Sequence, residues 1–106
     1  MTATVAYITS ASREQSLRIG KALLEARLVA CFNLLDGMES MYWWQGQIES
    51  AQECVLIAKT VSGRKAEILA MVKALHTYTV PCVVFWPLRG GNPDYLAWIK
   101  KETGHG

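Results

Sequence analysis

The chain has 106 residues, 51% of them hydrophobic, and its 11 basic and 9 acidic residues give a formal net charge of +2. That length makes a single domain, residues 1–106, with a modest core and no room for a second. The basic residues are scattered, with Arg64-Lys65 and Lys100-Lys101 as the only doublets, which excludes an electrostatic nucleic-acid footprint. No stretch approaches the roughly 20 apolar residues of a membrane span, and the opening MTATVAYITS carries no basic leader, so the expectation is a soluble cytoplasmic protein with no membrane or nucleic-acid partner.

TVAYIT (4–9), β-branched and aromatic with no breaker, predicts a first strand. Ser12 followed by Gln15 is a capping-box pattern, and Leu17, Ile19, Leu23 and Leu24 give a helical apolar stripe to about Arg27. LVACFNLL (28–35), Asp36-Gly37 and MESMYWW form one long strand with a bend or bulge at the glycine. Gln45-Gly46 turns the chain into a returning strand, QIESAQECVLIAKT (47–60). A second helix runs from about Gly63 to Leu75, with Ile68, Val72 and Leu75 on one face. VPCVVFWPL (80–88) is a fourth strand fenced by prolines, and Asn92-Pro93-Asp94 caps a last helix through YLAWIKK.

The order βαββαβ plus a terminal helix is that of an α+β, ferredoxin-like sandwich with a long β2–β3 hairpin. Two helices are expected to cover one face of the sheet and nothing in the chain to cover the other. Yet Val29, Cys31 and Leu35 alternate with Ala30, Phe32 and Leu34, and Val83 and Phe85 with Val84 and Trp86, so both faces are apolar. A sheet with one wet face alternates apolar and polar instead, which implies a partner. Trp43 and Trp44 sharpen the point, because neighbours on a strand point to opposite faces. One is expected under the helices or at their edge, and the other, with Tyr42, against a second chain; the alternative is a hairpin that simply projects with one tryptophan half-exposed. Adjacent aromatics also serve as stacking platforms for bases or sugars.

ARLVACFNLL, MESMYWWQGQIE, HTYTVP and GNPDYLAWI, in that order and spacing, resemble the CutA divalent-cation tolerance family over about residues 5–100. The resemblance implies a tight homotrimer with hairpins passing between subunits, and Tyr42, Trp43 and Trp44 at the oligomer interface. It implies an architecture like that of the nitrogen-signalling PII trimers, and a connection with copper or another divalent cation. Relatives linked to copper carry a cysteine before a threonine in the first strand and His-His-Pro-Tyr after the second helix. This chain has Ile8 before Thr9, and Leu75, His76, Thr77 and Tyr78, so His76 is the metal ligand that the resemblance leaves. Thr79 and Cys82 stand where acids are usual in the family, and Gln45 and Gln47 where Glu and Lys often flank the turn glycine.

The residues offer no compact metal site by spacing. Cys31, Cys54 and Cys82 have no CxxC pattern and read as buried reduced thiols. In an ideal hairpin Cys54 faces about position 37 and Cys31 about position 60, roughly 20 Å apart, so a multi-thiol site would have to cross a subunit boundary. His76, at the end of the second helix, also suits the negative helix terminus. His105 lies in the GHG tail.

Enzyme signatures are absent: no G-x-S-x-G elbow, phosphate loop, HExxH or supported His-Cys pair. LRGGNPDYL sets glycine amides and Arg89 at a helix start, which reads as a turn and cap or as an anion site. Glu39, Glu49 and Glu53 flank the hairpin without a pair spaced for acid–base work. An RNA-recognition module shares the element order, but ECVLIAKT lacks its third-strand aromatics. The reading is a non-enzymatic homotrimer of the cation-tolerance type with no organic cofactor; the alternative is a PII-like effector-sensing or protein-interaction trimer without metal function.

Overall fold

A computed structural model describes residues 1–104. The elements are β1 (Ala3–Ser10), α1 (Arg13–Glu25), β2 (Cys31–Trp44), β3 (Gln47–Val61), α2 (Lys65–Leu75), β4 (Val83–Pro87) and α3 (Pro93–Glu102), with one 3-10 turn at Ser62–Arg64 before α2. The four strands form one antiparallel sheet in the order β2-β3-β1-β4, the ferredoxin-like arrangement expected. Boundaries moved by a few residues. Arg27, predicted helical, instead adopts a left-handed φ of 61° that ends the turn after α1, and β4 begins at Val83, after Pro81.

The main core lies between one sheet face and helices α1 and α2. Ala6 and Ile8 from β1 and Leu56 and Ala58 from β3 meet Ile19, Leu23, Ile68 and Val72 from the helices. Leu24, predicted on the apolar stripe of α1, is exposed. Half of the predicted capping box forms: Ser12 Oγ accepts from the Gln15 N–H at 3.2 Å, while the Gln15 side chain turns away to Thr77.

The second face is apolar, as the alternation implied. Leu35, Val84 and Trp86 lie on it and are exposed. It is not, however, bare within the chain. Ala3 and Val61 pair with each other and fall on this face by alternation, and fully buried Ile99 of α3 packs against them and Ala30. The expectation that nothing covers this side is therefore corrected: α3 closes one end of it. Arg64 holds the helix C-terminus there, its Nε and Nη2 donating to the Thr103 carbonyl at 3.2 and 2.9 Å.

The hairpin departs from an ideal ladder at one place. Leu35 pairs with Val55 and Met38 with Glu53, so Asp36 and Gly37 together stand opposite Cys54. This is the predicted bulge; it puts Cys31 opposite Lys59, one position short of the ideal register. At the tip Gln45 and Gly46 have φ of 51° and 81°, the two left-handed residues that a tight hairpin turn requires. Since β1 pairs with β3 only from Cys54 onward, residues 47–53 and their partners project beyond the sheet by roughly 24 Å.

Because Ile99 is the apolar anchor of α3, Ile99→Ala should lower the unfolding free energy by about 2–4 kcal/mol in urea titrations at fixed protein concentration. A loss below about 1 kcal/mol would show that α3 contributes little at that end of the sheet.

Candidate functional site

The overshoot of the hairpin settles where the two indoles go. Among the described residues no helix lies beneath them, so neither packs under α1 and α2 as expected of one of them; Trp43 is 73% and Trp44 42% exposed. Pairing across the hairpin sorts its side chains. Met41, Trp43 and Ile48 share one face and are among the most exposed apolar groups of the chain. Tyr42 and Trp44 share the other face with Glu49 and Glu53.

That second face forms one wall of a cleft of about 870 Å³. The opposite wall is the segment from Thr77 to Cys82, between α2 and β4, and Tyr7 and Thr9 of β1 close the inner end. Three anchors hold the segment. His76 Nδ1 accepts from the Tyr78 N–H at 3.0 Å, so Nε2 carries the ring proton and donates to the Thr9 carbonyl at 2.7 Å. Thr77 Oγ1 donates to Gln15 Oε1 at 3.1 Å. Tyr78 donates its hydroxyl to Glu53 Oε2 at 2.8 Å, and its ring lies 4.7 Å from that of His76.

Electrostatically the cleft is one-sided. Glu39, Glu49 and Glu53 line it, and among the described residues no lysine or arginine does. Glu53 is 8% exposed, and the two ion pairs among the described residues, Arg27–Glu102 and Arg64–Glu67, leave it without a counter-charge. Burial first, and then the hydrogen bond to the Glu53 carboxylate, push the Tyr78 phenol up to about 12. Outside the cleft, the Cys31 thiol lies 3.5 Å from the Tyr95 hydroxyl, and this contact, followed by burial, pushes Tyr95 up to about 12 as well.

The donors singled out in the sequence do not gather. Cys54 is buried on the helix-covered face, Cys31 sits beside α3, and Cys82 lines the cleft alone. Ile8 and Leu75 belong to the main core, whereas Thr79 and Cys82 line the cleft. Both ring nitrogens of His76 are engaged, so a metal would have to displace the Tyr78 N–H. Among the described residues no three of His, Cys, Asp and Glu are placed to hold a metal ion. Within the described residues of one chain, outside which His105 lies, the donor set therefore does not fit a divalent ion. Glu53 and Tyr78 had not been paired in the sequence; they are 25 positions apart, and only the sheet register and the anchored 76–78 segment bring them together.

Residues 4–102 match the family model described as CutA1 divalent ion tolerance protein. The chain belongs to this CutA1 family. It is 44% identical over 100 residues to the divalent-cation tolerance protein CutA of Thermus thermophilus, covering 94% of this chain and 97% of that one. A solved structure of the Thermus thermophilus CutA1 superposes with a TM-score of 0.94 at 43% identity, covering 96% of this chain and 99% of that one. CutA1 from Oryza sativa superposes at 0.95 with 36% identity, over 100% and 97% of the two chains.

In a CutA1 chain built this way, Tyr78 should report the charge of Glu53. Its pKa is raised in the folded state, so the stability it contributes is complete below pH 10 and is lost as pH rises through about 12. In Glu53→Gln the phenolate absorbance assigned to Tyr78, by difference from Tyr78→Phe, should rise at a lower pH than in the parent while staying above 10. An unchanged transition would show that burial alone sets it.

Proposed function

We propose that the protein serves divalent-cation tolerance as a cytoplasmic homotrimer, with copper or another divalent ion as cargo and no catalytic step. The observation that carries the assembly is the projecting face of Met41, Trp43 and Ile48, which is left exposed by the described residues of the chain. Burying one indole contributes on the order of 2–3 kcal/mol, and three such hairpins exchanged between copies would bury several apolar groups each. Membership of the CutA1 family supports the cation role, and the one-sided charge of the cleft suits cations. Since no donors converge among the described residues of one chain, direct coordination belongs to groups brought together across subunits. Tyr42 and Trp44, on the cleft side, contribute to the interface only where a second copy reaches into the cleft.

The 870 Å³ cleft also favours a second reading, the PII-like effector trimer, in which a small molecule occupies the cleft and metal tolerance is indirect. Native mass spectrometry during a Cu²⁺ titration, with Zn²⁺ as comparison, separates the two. The first reading expects a trimer that takes up a saturable, stoichiometric number of ions and loses them on dissociation. Non-specific adducts alone would favour the effector reading, and a monomeric mass would overturn the assembly.

Two variants refine this. Trp43→Ala should weaken the trimer by about 2–3 kcal/mol per subunit, more than Trp44→Ala, in dilution experiments followed by mass. His76→Ala should cost about 1–2 kcal/mol of stability through its lost hydrogen bonds while leaving Cu²⁺ uptake unchanged; a drop in uptake would make His76 a ligand.

A further inference from the structure

We propose that the cleft beneath the hairpin is a binding site for a linear organic polycation, an alkyl polyamine, held between Glu49 and Glu53. The inference deepens the small-molecule reading given above. It starts from Glu53, a carboxylate 8% exposed that takes one hydrogen bond, from Tyr78, and has no counter-charge among the described residues. A buried carboxylate without a cation is costly unless its site supplies one from outside.

The spacing of the charges selects the kind of cation. Glu49 and Glu53 sit four residues apart on the same face of β3, about 14 Å between their Cα atoms. A compact divalent ion needs several oxygens at about 2.0–2.6 Å, and the donors of this cleft do not converge in that way. A chain of methylenes with ammonium groups at intervals can instead reach one carboxylate after the other.

The surfaces between the charges suit the same ligand. Across the hairpin Tyr42 lies opposite Glu49 with Trp44 beyond it, and Tyr7 and Tyr78 stand at the Glu53 end. Aromatic faces attract ammonium groups and also accept the alkyl stem. Ser40, which lies between the two ends and lines the cleft, is small enough to leave room for methylenes. Among the described residues, the absence of lysine and arginine from the lining removes any competing cation and makes an anionic ligand unfavourable. Trp43 and Ile48 point away from this wall and are not part of the cleft lining, whereas Met41 also borders the cleft.

The test is isothermal titration calorimetry on the full chain in its native assembly, with spermidine, Mg²⁺ and ATP as separate titrants. Saturable binding of one spermidine per chain, with Mg²⁺ and ATP silent, is expected. Glu53→Gln and Glu49→Gln should each weaken spermidine by roughly tenfold, and Trp44 fluorescence, by difference from Trp44→Phe, should change on binding. Circular dichroism and native mass establish that each variant keeps its fold and assembly. Glu14→Gln, on an exposed face of α1, serves as the charge control and should bind as the parent does. Equal response to Mg²⁺, or equal weakening by Glu14→Gln, would reduce the effect to bulk charge and overturn the proposal. Binding of ATP alone would overturn the polycation while leaving an effector site. Silence of all three titrants would overturn both the polycation and the small-molecule reading of this cleft, as expected of a cleft filled by a neighbouring copy.

Discussion

The ladder between β2 and β3 continues for seven pairs, Met38↔Glu53 to Trp44↔Gln47, after β1 has stopped pairing with β3. Beyond that point, among the described residues, the hairpin has neither a third strand nor a helix layer, so one of its faces meets solvent or another molecule and the other faces the segment between α2 and β4. The bulge at Asp36–Gly37 stands where the ladder leaves the sheet, and the left-handed pair Gln45-Gly46 holds its far end in register. With register fixed, alternation has a strict consequence: adjacent Trp43 and Trp44 are committed to opposite faces. One face becomes an apolar surface and the other the wall of a cleft.

The opposite wall depends on a different constraint. The segment after α2 has little regular structure of its own, and its position is set by side chains reaching across the fold: His76 to β1, Thr77 to α1, Tyr78 to β3. A neutral imidazole suits this strap because it can accept at one nitrogen and donate at the other. The residue that the resemblance marked as a metal ligand is thus occupied in shaping the cleft. The same economy applies to Tyr78, whose hydroxyl both fixes the loop and orients the Glu53 carboxylate.

The fold was legible because it rests on local and periodic signals. The element order, the Asn92-Pro93 cap, the bulge glycine and the two-sided apolar strands all depend on neighbours a few positions apart, and these came through with small boundary shifts. What was not legible depends on where elements end in space. Nothing in YLAWIKK says that Ile99 folds back onto the second face at Ala3 and Val61, and so that face was expected to be bare. Likewise one of Trp43 and Trp44 was expected under the helices or at their edge, because a strand pattern does not reveal that β1 is too short to accompany the hairpin. Glu53 read as one of three scattered acids until the register set it beside Tyr78.

The family's cation role and the geometry of this chain meet in the arrangement of its carboxylates. The strap side of the cleft carries Thr79 and Cys82 and no acid, leaving Glu53 with Glu39 and Glu49 spread along the hairpin. Convergent carboxylates favour a small ion, since each oxygen must touch it; separated carboxylates favour a long cation, since each can satisfy one charge. Aromatic groups shift the balance further, because they attract alkylammonium groups more readily than strongly hydrated metal ions. A hairpin, a strap and a buried glutamate held in this arrangement give the cleft an attraction for positive charge without the convergence that a small ion needs.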